Sequence, residues 1–312
     1  MQYSLKSANL PPTSTTMKDL FIAEAGMLEA YSELQRLTNI TDEYSQVVSN
    51  CVSAIEAFKQ FGVNKITLNI FNDKDALFDA IGVTFIALES LEASKLQSKI
   101  VTGLEANLSD LWGKFKEFLK KIWRGLVWFL GKVAEFFGLK KSKRQKELEE
   151  LQRKTDEELR KLCEETNIGL GNFCSCMQTC HKCVDEIKKM HVKNEQDIRE
   201  LDEQIDELIE QLGLIDIDKE SDSTSTITKQ KIKEAINIEI GTFDAIEKMS
   251  PKEFTAEIDR MIAQLEGRGD KPDNALTGLV SKYTKVNKAV CVKARDLSKY
   301  NDYVIDVVLN DK

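Results

Sequence analysis

Breakers of helical structure are scarce in this chain. Only four prolines occur in 312 residues, and two of them, Pro11 and Pro12, are adjacent near the N-terminus. The long runs rich in Leu, Glu, Lys, Ala and Gln lack such breakers. Because those residues favour helix and proline interrupts it, the composition predicts an all-α protein of long helices. At this length we expect two or three packing units rather than one core.

Long uncharged apolar runs are missing as well. The longest, such as residues 80–88, fall well short of the roughly 20 residues that a membrane-spanning helix needs. The first sixteen residues have no apolar core, so a secretory signal is not expected. With seven cysteines and no such signal, we expect the reduced thiols of a cytoplasm rather than a disulfide framework.

The side chains and motifs of common catalytic sites are sparse. His181 and His191 are the only two histidines, and both lie in the same helical region. No G-x-S-x-G, P-loop or G-x-G-x-x-G motif is present. The many carboxylates follow patterns typical of solvated helix faces, so none can be paired as acid and base. We therefore do not expect an enzyme.

Changes in composition divide the chain into five segments. They are a disordered tail at 1–16, an N-terminal helical unit at 17–110, a central unit at 111–212, an acidic Ser/Thr linker at 213–228 and a C-terminal helical unit at 229–312. In the central unit a long helix is expected from Phe173 to Leu212, after a turn signal around Gly169. Its seam residues repeat at heptad spacing, and they are Ile187, His191, Asn194, Ile198, Leu201, Ile205, Leu208 and Leu212. This repeat predicts an antiparallel coiled-coil hairpin.

The most informative segment is Leu111–Leu139, which is aromatic and basic. It holds all three tryptophans and five of the fourteen phenylalanines. From Lys114 to Lys146 the net charge is +9, in a chain whose total is −8. The apolar residues fall on one stripe at spacings of three and four, which predicts an amphipathic helix. The candidate contact residues are Trp112, Phe115, Trp123, Trp128, Phe129 and Phe136.

Three roles are open for this helix. It is a core helix, a helix that lies on a membrane surface, or a contact for nucleic acid through its cations. For the last role the candidate phosphate contacts are Lys140, Lys141, Lys143 and Arg144. Residues 195–222 carry a net charge of −10, and the predicted hairpin would place them beside the basic helix. The chain would then neutralise its own cations.

A cluster of cysteines follows the turn signal. Its members are Cys174, Cys176, Cys180 and Cys183. The last three recur at helical spacing, which favours a role as small buried residues of a helix face. Zinc bound by these thiolates and redox chemistry are the two alternatives. No other cofactor is expected.

Four stretches of the chain, in order, resemble a known family. They are MKDLFIAEAGMLEAYSELQRL, IALESLEASKL, LSDLWGKFKEFLKKIWRGLVWFLGKVAEFF and GLKKSKRQKELEELQRK. Together they resemble the internal head proteins (inner capsid or prohead-core proteins) of large contractile-tailed bacteriophages. The resemblance covers roughly residues 17–155 and does not extend to the cysteine cluster or the C-terminal half.

The resemblance implies a non-enzymatic structural protein of a virion. Such a protein is packaged inside the head or acts in the assembly core, and it is made in the host cytoplasm. Its implied partners are other virion or capsid proteins and packaged DNA, and an oligomer is compatible with that role. Prohead proteases of these phages cut after a hydrophobic-x-Glu sequence, which Ile22-Ala23-Glu24 before Ala25 matches.

Two other functions stay open from the residues themselves. One is a membrane-acting effector, pore-forming or peripheral, that uses 111–139 as its inserting amphipathic helix. The other is a plain coiled-coil interaction module whose basic and acidic arms only satisfy each other.

Overall fold

All regular elements that the structure describes are α-helices, which confirms the predicted fold class. The computed structural model describes residues 17–62, 93–166, 169–192, 195–217, 227–267 and 274–310. The helices are α1 Met17–Phe61, α2 Ala93–Leu151, α3 Asp156–Thr166, α4 Phe173–Lys189, α5 Glu195–Leu214, α6 Lys229–Glu247, α7 Lys252–Gly267 and α8 Asn274–Asn310. The predicted tail at 1–16 and most of the predicted linker lie outside the described residues.

The two longest helices, α1 and α2, pack against each other in opposite directions. Near one end of the pair, the Tyr31 ring lies 6.3 Å from that of Phe129. Towards the other end, Lys59 and Glu105 form an ion pair at 2.8 Å. The helix α1 ends at Gly62, whose φ of 71° is a left-handed conformation that glycine adopts without strain.

The last helix, α8, lies at the centre of the bundle. It packs against α1, α2, α3, α4, α5 and α6, and the Tyr283 ring stacks on Phe254 of α7 at 3.8 Å. Along α1 it runs antiparallel, with ion pairs from Lys285 to Asp42 at 2.7 Å and from Lys299 to Glu24 at 2.6 Å. A helix with neighbours on several sides needs side chains that are apolar, or polar and hydrogen-bonded within the protein, around most of its circumference. The side chains of α8 are of these kinds.

The predicted coiled-coil hairpin is not confirmed. The expected continuous helix from Phe173 to Leu212 is two helices, because Met190 is extended and ends α4. Met190 and Val192 are buried, whereas the predicted seam residue His191 is exposed. The backbone N–H of Val192 donates to the carboxylate of Glu257 at 2.6 Å. Tertiary contacts at this break therefore override the heptad pattern, and α4 packs mainly against α6 and α8.

Candidate functional site

The aromatic stripe of α2 lies in the protein core. Four of the six candidate contact residues are buried, namely Trp112, Trp123, Phe129 and Phe136. Trp123 meets the rings of Phe254 and Tyr283 edge-on, at centroid distances of 6.1 Å and 6.4 Å. The side chain of Phe115 is outside the described part of the structure. Since burial of each large side chain favours folding by ~1.5–3 kcal/mol, this stripe holds the bundle together.

The opposite side of α2 carries an exposed basic face. We use this name for Lys120, Lys121, Arg124, Val127 and Trp128, which are all exposed. Trp128 keeps 41% of its surface accessible and Val127 keeps 45%. Their spacing of one, three and four residues puts them on one side of the helix. Of the three tryptophans, Trp128 is therefore the one available to a partner.

Two cations of the basic face have no carboxylate partner. Lys120 binds Glu117 one turn away at 2.7 Å. Lys121 lies 5.0 Å above the Phe118 ring, and Arg124 donates to the carbonyl of Lys120 at 3.1 Å. Among the residues that the structure describes, no carboxylate lies within ion-pair distance of Lys121 or Arg124. This face therefore offers unneutralised positive charge next to an accessible tryptophan.

The predicted phosphate contact Arg144 is instead the centre of a buried ionic network. Its Nε and Nη2 donate to the two carboxylate oxygens of Glu239, at 2.7 Å and 3.0 Å. Its Nη1 donates to Glu147 at 2.7 Å and lies 3.0 Å from Asp302. Nη2 also donates to the carbonyl of Ser298 at 3.2 Å. The guanidinium is completely shielded from solvent, so the predicted contact with phosphate is wrong for this side chain.

Two of the other candidate cations belong to the same network. Lys140 is only 5% exposed and donates to Asp302. Lys143 lies 3.1 Å from Asp302 and 3.3 Å from Glu147. Burial alone would lower the pKa of Lys143, but the two carboxylates outweigh it and raise that pKa. Although burial favours the neutral acid at Asp302, the surrounding cations hold its pKa below the usual range.

Lys141 lies beside this network and has carboxylate partners on α6. Its ammonium contacts Asp244 at 2.7 Å and Glu247 at 3.1 Å. The hydrogen bond that Lys141 donates to Asp244 is the main reason why the pKa of Lys141 is raised. All four candidate cations therefore pair with carboxylates of the protein itself, and Lys140 is also buried. They are not presented as a phosphate-binding surface.

Two acidic residues of α5, Asp202 and Asp206, bind Lys282 of α8 at 2.8 Å and 2.6 Å instead of a cation of α2. The chain does neutralise many of its own cations, as one alternative anticipated, but α6 and α8 supply the carboxylates for α2. Among the described residues, neither α6 nor α8 brings a carboxylate within ion-pair distance of Lys121 or Arg124.

The cysteine cluster is part of the apolar core. Cys176, Cys180 and Cys183 are buried on one side of α4, and Cys174 is half-buried. The Cys180 thiol contacts the carbonyl of Val290 at 3.6 Å. Burial raises the pKa of the Cys176, Cys180 and Cys183 thiols. Within the described ranges, no group of three or more His, Cys, Asp and Glu side chains is placed to hold a metal ion.

The predicted processing site lies within α1. Glu24 binds Lys299 at 2.6 Å and lies 3.9 Å from Arg295, while Ala25 is exposed. A protease would reach the peptide bond between Glu24 and Ala25 only after local opening of the helix. Cleavage there stays a prediction.

Three polar residues of the network, two of them buried, were not anticipated from the sequence. Glu239 is fully buried, and it also accepts a hydrogen bond from the amide of Asn301. Asp302 follows directly in the chain. A signal for Glu239 was present, since it lies alone between Ile238 and Ile240 in an apolar stretch. Neither Asn301 nor Asp302 stands out in this way.

No family model, curated protein or solved structure matches this chain. None of the helices that the structure describes contains a stretch long and apolar enough to cross a bilayer.

Proposed function

We propose that this protein works by contact rather than by chemistry, as a helical structural protein whose basic face on α2 binds an acidic surface of another protein. The observation that carries the proposal is the division of α2 into two sides. The aromatic stripe is buried in the core, whereas Trp128, Lys121 and Arg124 remain accessible.

The composition of this face suits a protein partner. Tryptophan and arginine are the side chains that most often dominate binding energy at protein interfaces. The cations around Trp128 would draw an acidic surface into register and speed the encounter. The rigid bundle behind the face supports this role, because its helices need not reorder on binding.

We further propose the interior of a phage head as the setting, with capsid or assembly-core proteins as partners. The support is the resemblance of residues 17–155 to internal head proteins. Packaged DNA is a weaker candidate partner, because Lys140 and Arg144 are buried in the ionic network. The exposed cations that α2 still offers to DNA include Lys121 and Arg124, which have no carboxylate partner among the described residues.

Peptide mass mapping of purified particles tests this setting. We expect peptides of this chain in DNA-filled heads, and a new N-terminus at Ala25 if the processing prediction is right. In a matched set of particles, W128A/R124E should lower the amount of the protein in the head, while K161E should not, since Lys161 is exposed on α3 and is not part of the basic face. Recovery in host membranes instead of particles would contradict the proposal.

The second candidate function is binding to a membrane surface, and the exposure of Trp128 beside cations favours it. Such a combination suits the headgroup region of an anionic bilayer. Insertion of the whole stripe would require the core to open, so we expect peripheral binding at most. Trp123 cannot serve as a probe, because Trp123→Glu would disrupt the core.

Flotation and dye leakage with anionic liposomes separate the two candidates. Under the protein-partner proposal, micromolar protein leaves the liposomes intact and does not float with them. Flotation that W128E/R124E abolishes, at unchanged thermal stability, would favour the membrane surface instead.

A further inference from the structure

A cleft of about 300 Å³ opens where the end of α4 meets the turn between α6 and α7. Its size is at the small end of the range for ligand pockets, roughly 300–1,000 Å³. Side chains from α4, the turn, the first residues of α7, and α8 line it. We call it the Tyr283 cleft. It is separate from the basic face of α2.

The floor of the Tyr283 cleft is apolar and fixed. Ile187, Met249 and Tyr283 line it, and all three are buried. The Tyr283 ring is held by stacking on Phe254, with an interplanar angle of 5°. The amide of Asn287, which is 1% exposed, donates to the Tyr283 carbonyl at 2.8 Å. A floor held from below in this way suits a flat, apolar part of a ligand.

The rim of the cleft is basic. It carries Lys188, Lys248 and Lys252 on three different elements. Lys188 is paired with Asp185 at 3.0 Å. In the described part of the chain, no carboxylate is within ion-pair distance of Lys248 or Lys252. In a chain with a net charge of −8, this combination of a concavity with unpaired cations favours an anionic ligand.

The one carboxylate on the rim is turned towards a histidine. Glu253 is 81% exposed at its side chain and lies 3.8 Å from Nδ1 of His191. It belongs to the first turn of α7, a helix of 16 residues whose N-terminal end faces the cleft. The partial positive charge of that end adds to the charge of the lysines.

The Tyr283 hydroxyl is uncharged near neutral pH. Burial raises the pKa of Tyr283 to about 12, and a hydrogen bond with Asn287 acts in the opposite direction. The floor of the cleft therefore adds no negative charge that would repel an anion.

We propose that the Tyr283 cleft binds a small organic anion, with a phosphate or carboxylate at Lys248 and Lys252 and a flat apolar ring over Ile187 and Tyr283. The lysines supply attraction and the floor supplies the contact area. The proposal does not depend on the function proposed for the basic face of α2.

Titration of ¹⁵N-labelled full-length protein with phenyl phosphate and with benzoate tests the proposal. We expect saturable shifts of amide resonances around the cleft for at least one of the two, with a Kd below about 10 mM, as suits a ligand of this size. Comparison of the two probes tells phosphate from carboxylate ligands. Phenol lacks the charge and should bind at least about tenfold more weakly.

Two matched double variants locate the site. K248E/K252E should weaken binding by at least about tenfold, because attraction becomes repulsion at the rim. K182E/K233E reverses two exposed lysines outside the cleft and should leave the affinity unchanged. The proposal is overturned if neither probe saturates, or if the two double variants weaken binding equally.

Discussion

Arg144 on α2 and Glu239 on α6 form a two-point ion pair in which both side chains are completely buried. The two N–O distances are 2.7 Å and 3.0 Å. Such a pair stabilises the fold only if the lost hydration of both ions is compensated, and here Glu147, Asp302 and Asn301 supply the remaining contacts. The pair thereby fixes the relative position of two helices that are far apart in the sequence.

Loss of one member of the pair should be more harmful than loss of both. Arg144→Met leaves Glu239 buried without its cation, and we expect a loss of about 3–5 kcal/mol in the free energy of unfolding. The double variant R144M/E239M should recover a large part of that loss. Urea denaturation at pH 7 measures both. The control is R36M, which breaks the exposed Arg36–Glu33 pair and should leave the free energy of unfolding almost unchanged.

A cost for R144M no larger than that for R36M would show that the network adds nothing to stability. An additive double variant would show that the two side chains are not coupled.

Charge reversal should affect the two ends of the basic segment differently. Lys140→Glu places a carboxylate beside Asp302 in a buried site, so we expect unfolding to become easier by more than about 2 kcal/mol. Lys121→Glu and Arg124→Glu alter exposed side chains without ion-pair partners, and each should change stability by less than about 0.5 kcal/mol. Thermal denaturation at one protein concentration compares them. Equal effects at the two ends would contradict the division of α2 into a buried and an exposed side.

Titration of Lys288 should contribute a rise in stability between about pH 8 and pH 10, which the buried thiols oppose because their raised pKa values favour the unfolded state in the same range. Lys288 is 2% exposed, and burial together with nearby Lys285 lowers its pKa to about 8. It faces Tyr31 and Gln35 of α1, and Asp42 acts in the opposite direction. Above pH 8 the folded state releases this proton before the unfolded state does, at about pH 10.4, so folding is favoured as pH rises.

Lys288→Met should remove that rise. It should also stabilise the protein at pH 7 by on the order of 1–3 kcal/mol, because a charged group no longer has to be buried. Urea denaturation at intervals between pH 7 and pH 10 gives the slope. The control K299M alters an exposed lysine of the same helix and should leave the rise in place. Parallel profiles for the unaltered protein and K288M would refute the assignment of this proton.

The cysteines should differ widely in reactivity. Cys174 is half-buried, whereas Cys180 and Cys291 are completely buried with raised thiol pKa values. Iodoacetamide should modify Cys174 first, and the other two at least about a hundredfold more slowly, since they need local opening to react. Peptide mass spectrometry over time measures each rate. In urea the three rates should converge, and similar rates without urea would place the cluster at the surface.

The helices were predictable because their signal is local. The apolar stripe of α2 recurs at three and four residues, and Phe129 and Phe136 are buried as the stripe requires. Gly62 ends α1 because this one residue adopts a left-handed conformation without strain. The break at Met190 was not predictable, because it depends on Val192 and Glu257, which are 65 residues apart.

The candidate site was predicted only in part for the same reason. The sequence shows that α2 is basic, but not which cations meet carboxylates in the fold. Arg144 and Arg124 look alike as residues of one charged helix. The difference is that α6 brings Glu239 to the first, while nothing comparable reaches the second. Periodicity identifies the buried side of a helix, whereas ion pairing depends on how the helices are arranged.

The central position of α8 also has a consequence for synthesis on the ribosome. The helices that it holds together, α1 to α6, all precede it in the chain, and its ion pair from Lys299 reaches back to Glu24. At roughly 5–20 residues per second, the ribosome needs many seconds to pass from α1 to the end of α8. During that time the sides of the earlier helices that α8 covers have no neighbour. We therefore expect a chain cut short before residue 274 to expose this apolar surface and to aggregate rather than form a smaller folded protein.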